Sequence, residues 1–142
     1  MQGASALQNI LDKHPDPTLR VLVVWEPVIP TDVARPTSGT LGRLHDPRVA
    51  QYWDGERSLS REMVRAVRAD PARYHFEREM PEDFVVWDVV ALFPPGTVWE
   101  SDPPVPTYYG GPVVEVMDAL REALENRPAV ARALGDPETE RP

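Results

Sequence analysis

The sequence predicts an α/β fold in which helices flank a mixed sheet, and three observations carry that reading. Arg20-Val21-Leu22-Val23-Val24-Trp25 and the run from Asp83 to Phe93 are rich in β-branched and aromatic residues and are bounded by turn-forming prolines. Around them lie segments whose apolar residues recur at helical spacing. The chain has 142 residues, 42% of them hydrophobic, with four tryptophans, which is enough for one core and too little for two ordinary ones. A single domain is therefore placed over residues 1–126, followed by an acidic, proline-rich tail over 127–142.

The elements follow in order. Ser5 precedes Leu7, Ile10 and Leu11, which share one side of a short helix that His14-Pro15-Asp16-Pro17 ends. The Arg20–Trp25 run lacks polar alternation, which predicts a central strand buried on both faces of a partly parallel sheet. Residues 26–40 hold too many prolines for a regular element and form a loop at the carboxyl end of that strand. Asp46-Pro47 has the pattern of an N-cap and first helical position, predicting helical turns that carry Val49, Tyr52 and Trp53 on one face. A second helix is expected from Ser58 or Ser60, with Met63, Val64 and Val67 inward, ending at Asp70-Pro71. Residues 72–83 allow a short strand over Tyr74–Glu79. After the second strong strand, Pro94-Pro95-Gly96 supplies a turn in which glycine accepts positive φ. Residues 105–109 and 112–116 then predict a hairpin about Gly110-Gly111, and Met117, Leu120 and Leu124 mark a final helix.

Composition removes whole classes of chemistry. There is no cysteine, so disulfides, thiolate metal sites and cysteine nucleophiles are excluded. The net charge of −8 is concentrated in the C-terminal half and opposes general attraction to nucleic acid or anionic lipid, which need a cationic field. No apolar run has the length of a signal peptide core or a membrane span, so a cytoplasmic protein is expected. No Gly-x-Ser-x-Gly, His-Glu-x-x-His or Gly-x-Gly-x-x-Gly signature is present. The reading calls for no cofactor, no metal, no nucleic acid and no membrane.

The loop after the first strand is the best-placed site, because ligands of open α/β sheets gather beyond strand carboxyl ends. It offers Trp25, Glu26, Thr31, Asp32 and Arg35, although the prolines and Asp32 can equally serve only to shape the turn. Thr37-Ser38-Gly39-Thr40, between Arg35 and Arg43, has hydroxyls for an anion but no Walker spacing, and helix capping accounts for it more simply. Arg57, Arg61, Arg65 and Arg68 line one helical face, as the solvated side of any surface helix does. His75, Glu77 and Glu79 would share a face if their segment were a strand, the pattern of a weak metal site. His45-Asp46, with Asp54 beside Trp53, has the residue types of a general base and its orienting acid, although capping already explains Asp46. Asp88 interrupts an apolar strand, where a charge needs a partner, a cleft that shifts its pKa, or water.

The order of a strand, a loop at its carboxyl end, a helical stretch, another strand, a hairpin and a terminal helix resembles a thioredoxin-like domain over roughly residues 19–125. Val23-Val24-Trp25 resembles the apolar strand and tryptophan that precede that family's Cys-x-x-Cys. Val105-Pro106-Thr107 resembles the segment whose cis-proline faces the motif. Glu26 and Ile29 stand where the cysteines would be, so the resemblance implies a thioredoxin-like fold without thiol–disulfide exchange. The favoured expectation is a non-catalytic module that binds a protein or peptide through the loop of residues 26–40 together with Pro106 and Tyr108. The alternative is an enzyme or small-anion binder using Glu26, Asp32, Arg35 and His45. A third is an obligate homo-oligomer whose aromatic surface is a subunit contact.

Overall fold

The computed structural model describes residues 2–126 apart from 30, 33 and 76–78. The elements run α1 (Gln2–Lys13), β1 (Val21–Trp25), α2 (Ser38–Leu41), β2 (Val49–Trp53), α3 (Ser58–Ala69), β3 (Val90–Leu92), β4 (Tyr108–Gly110) and α4 (Met117–Glu125). The fold is mixed α/β, but its strands form two separate two-stranded sheets. β1 and β2 are parallel, from Val21 opposite Val49 to Trp25 opposite Trp53. β3 and β4 are antiparallel, with Val90 opposite Gly110 and Leu92 opposite Tyr108.

The helices rest on the apolar faces that their spacing defines. Ile10 and Leu11 of α1 and Leu120 of α4 are almost wholly buried, and α1 packs on α4, which also covers β3 and β4. Val64 and Val67 of α3 form a second cluster with Met80 and the partly buried Tyr74. Tyr74 Oη donates to the carbonyl of the buried Pro103 at 2.8 Å, tying α3 to the long β3–β4 connection.

Arg48 fixes α1 to the start of β2. Its guanidinium donates to the carbonyls of Leu11 (2.7 Å), His14 and Asp16 (3.1 Å) while pairing with Asp46 at 2.6 Å. A helix C-terminus leaves carbonyls without intrahelical donors and carries partial negative charge, so a cation is the natural group there. From the same helix the buried Gln8 accepts the amides of His45 (2.9 Å) and Asp46 (3.2 Å).

Several expectations need correction. The segment after Asp46-Pro47 is β2 and not helical turns; Asp46 spends its carboxylate on the Arg48 amide and guanidinium, both at 2.8 Å, which turns the chain into a strand. β1 is not central or covered on both faces, since Leu22 is 70% exposed and, among the described residues, β2 is its one strand neighbour. The run from Asp83 to Phe93 is strand only over Val90–Leu92, with Asp88 at a positive φ of 52° just before it. The hairpin about Gly110-Gly111 does not form: β4 pairs back to β3, and residues 112–116 turn into α4. A Cβ at Gly111 would lie 2.6 Å from the Asp88 carbonyl oxygen, so this glycine permits close backbone approach. Tyr74 and His75 lie in turns, and Glu77 lies outside the described residues, as do residues 127–142. Gly96 takes a φ of 78° in its turn, as its sequence predicts.

Candidate functional site

The parallel pairing of β1 and β2 sets two carboxyl groups side by side. Because Trp25 lies opposite Trp53, the next residues, Glu26 and Asp54, leave the carboxyl ends of neighbouring strands together, and the Asp54 amide donates to the Trp25 carbonyl at 2.9 Å. Both point at the beginning of α3. Asp54 accepts the amides of Leu59 at 2.8 Å and Glu56 at 3.2 Å, and Glu26 accepts the amide of Ser60 at 3.1 Å. Arg57, the residue before α3, sits at a positive φ of 58° and contributes no side-chain cap, so the two strand-end carboxyls do that work.

Ser60 joins this pair to the chain before β3. Its hydroxyl, in a residue only 1% exposed, donates to Glu26 Oε2 and accepts the Val86 amide at 2.9 Å. The electrostatic consequence is a split pair. Burial pushes the Glu26 carboxyl up, the Ser60 hydrogen bonds oppose that, and Asp54 adds to it. Asp54 is held below the ordinary carboxylate value: its burial works against this, but the amides of α3's first turn and its bond with Glu26 win. The two neighbouring carboxyls are thus driven in opposite directions, Glu26 up and Asp54 down.

The remaining expected site residues are dispersed. Trp25 is half-buried, and its indole donates to Gln51 at 3.0 Å; Gln51 in turn donates to the carbonyls of Leu41 and Leu44 at 3.0 and 2.9 Å. Asp32 accepts the amides of Val28 and Ile29, both at 3.1 Å, which is turn-shaping. Thr31 and Arg35 are exposed. Thr37 caps α2 by accepting the Thr40 amide at 3.2 Å. Pro106 follows a trans peptide bond, and Tyr108 is half-buried in β4, in the other sheet. Asp46 is held to about 2 by Arg48, which makes it structural.

No known family model, curated protein or solved structure matches this chain. Its own geometry therefore carries the functional argument. Among the described residues, two of the surface cavities, of about 150 and 530 Å³, lie around Pro15, one against His14 and Leu124 and the other against Arg20 and Arg48; neither of these two is lined by Glu26, Asp32 or Arg35. Among the described residues no three His, Asp or Glu side chains gather as metal ligands, and no helix is long and apolar enough to cross a membrane.

The feature that sequence reasoning missed is the outer edge of β1. The Val21 amide donates to the Arg48 carbonyl, and the Trp25 carbonyl accepts the Asp54 amide, so residues 21, 23 and 25 turn their peptide groups toward β2. In a parallel ladder the intervening residues face the other way. The amides and carbonyls of Leu22 and Val24 thus face an edge with no neighbouring strand among the described residues. Their side chains share a face with Ala50 and Tyr52, and Leu22 and Tyr52 are 70% and 54% exposed. Nothing in the apolar run of residues 20–25 distinguishes an open edge from a paired one.

Proposed function

We propose that this protein is a redox-inactive, thioredoxin-like cytoplasmic module that binds an extended segment of a protein, using the open edge of β1 and the loop beyond it. The observation that carries the reading is the pair of outward peptide groups at Leu22 and Val24 beside exposed Leu22 and Tyr52. A free strand edge offers a row of donors and acceptors that an extended chain can complete, while alternate side chains supply selectivity. The thioredoxin-like part is supported by the order of a strand, a loop at its end, a helical stretch, a later strand with an antiparallel partner, and a closing helix. The lack of cysteine supports the redox-inactive part.

The test is residue-resolved hydrogen exchange with a synthetic peptide of residues 19–26 as probe. The Leu22 and Val24 amides should become protected as peptide is added, with little change at Val21, Val23 and Trp25. Unchanged exchange at Leu22 and Val24 up to millimolar peptide, at a protein concentration where sedimentation shows the single chain, sinks the reading.

A second reading rests on the split carboxyl pair. Glu26, pushed up by burial, beside Asp54, held down by the amides of α3, has the form of an acid–base couple at strand carboxyl ends, where α/β enzymes place their groups. A Glu26→Gln variant that keeps its fold but loses a hydrolytic or proton-transfer activity of the wild type would favour it.

A further inference from the structure

We infer that the segment completing the β1 edge is β1 of a second copy, antiparallel about a two-fold axis at Val23. This rests on the strand-accepting reading above and assigns its partner. The geometry is self-complementary. With Val23 opposite the second copy's Val23, Leu22 faces the second copy's Val24, and these are the residues whose peptide groups point outward. In an antiparallel ladder such residues form the hydrogen-bonded pairs, so all the outward groups of both strands are satisfied at once. Any register displaced by one residue sets an outward residue against an inward one and loses those bonds.

Side chains and charges agree with that register. Val24 lies beside Tyr52 and Leu22 beside Ala50, so pairing Leu22 with the second copy's Val24 makes an uninterrupted apolar row across four strands. The bulky Tyr52 ends the row where the second copy ends it with the small Ala50. The same register sets Arg20, just before the strand, opposite the second copy's Glu26, just after it. The donors to these carboxyls within one chain are uncharged: the amide and hydroxyl of Ser60 on Glu26, and the amides of Glu56 and Leu59 on Asp54. Arg20 is exposed, and among the described residues its guanidinium donates to the nearby carbonyls of Pro17 and Leu19. The symmetric pairing therefore brings a cation to each carboxyl pair, twice over. It also builds a four-stranded sheet from two-stranded ones, which are marginal alone.

Sedimentation velocity across a concentration series tests this. The wild type should rise from the 16.0 kDa chain mass to twice that value. Val24→Pro removes an amide that faces the open edge and spares the β1–β2 ladder, so it should stay at the chain mass with an unchanged far-UV spectrum. Arg20→Glu, at an exposed position, should also stay monomeric, and it decides the matter alone if Val24→Pro fails to fold. A wild type at the chain mass throughout, or a dimer that a folded Val24→Pro and Arg20→Glu both leave intact, overturns the inference. A monomer whose Leu22 and Val24 amides are still protected by the 19–26 peptide overturns the second copy while leaving the strand-binding reading in place; failure of both measurements removes the two together.

Discussion

The two sheets of this molecule are built in opposite ways. β1 and β2 are five residues each, parallel, and clasped by side chains from elsewhere: Arg48 and Gln8 hold β2's entry to α1, Gln51 holds the Leu41–Leu44 turn, and Glu26 and Asp54 hold α3. β3 and β4 are three residues each, antiparallel, and set among exposed Trp87, Phe93, Val98, Trp99 and Tyr109. Parallel strands cannot be joined by a tight hairpin, so their pairing depends on the elements between and around them. That is where the buried polar side chains are concentrated. The antiparallel pair needs less, since the Thr107 amide and hydroxyl close directly on the Leu92 carbonyl at 2.7 and 3.1 Å.

Substitutions should therefore sort by region. The largest loss is expected in the core beneath α1, where replacing the almost wholly buried Leu11 in Leu11→Ala should cost about 2–5 kcal/mol in urea unfolding. Arg48→Ala should follow with a loss of about 2–3 kcal/mol, because it strips charged donors from the end of α1. A loss as small as that of a surface residue would mean that water replaces the guanidinium without penalty. Ser60→Ala should cost about 1–3 kcal/mol by leaving the Val86 amide and Glu26 without their shared hydroxyl. Val98→Thr, on the β3–β4 connection, should change stability by no more than about 0.5 kcal/mol, and a larger effect would show that the connection is packed against something.

The pH dependence sharpens the same contrast. Glu26 has a raised pKa, so its contribution is fully present below the ordinary 4.5 and is lost as pH rises through the raised value. Asp54 and Asp46 are depressed, so theirs are present above the ordinary 3.8 and are lost on acidification, for Asp46 as pH falls toward about 2. Urea midpoints at pH 5 and pH 8 should fall more for the wild type than for Glu26→Gln, which keeps the uncharged form. Equal slopes would show that Glu26 ionises freely in the folded protein.

Much of the helical framework was legible in the sequence, because periodicity and caps are local. α3 begins at Ser58 and ends before Asp70-Pro71, and α4 carries Met117, Leu120 and Leu124 as spaced. The strands were less legible because partners decide them. Val49–Trp53 has the β-branched and aromatic character of a strand, but Asp46-Pro47 before it has the form of a helix start. What settles the matter is Arg48, whose partners Leu11 and His14 are distant in sequence. Asp83–Val89 has strand composition, but among the described residues no strand lies beside it, and Val86 gives its amide to Ser60. Of the candidate site, Glu26 was named from its place after the first strand, and Asp54 as a carboxylate beside Trp53. Their adjacency follows from the β1–β2 register, which the helix-like Asp46-Pro47 start before β2 conceals.

Arg48 also bears on the order of folding. It reaches carbonyls up to 37 residues back, at Leu11, and sits one residue before β2. The end of α1 therefore completes its hydrogen bonds only when β2 arrives, so helix termination and parallel strand pairing belong to one cooperative step. Such a step must close a long loop before any bond rewards it, which slows it. Removing the guanidinium should thus lower the folding rate together with the stability, whereas changes on the β3–β4 connection should leave the folding rate alone.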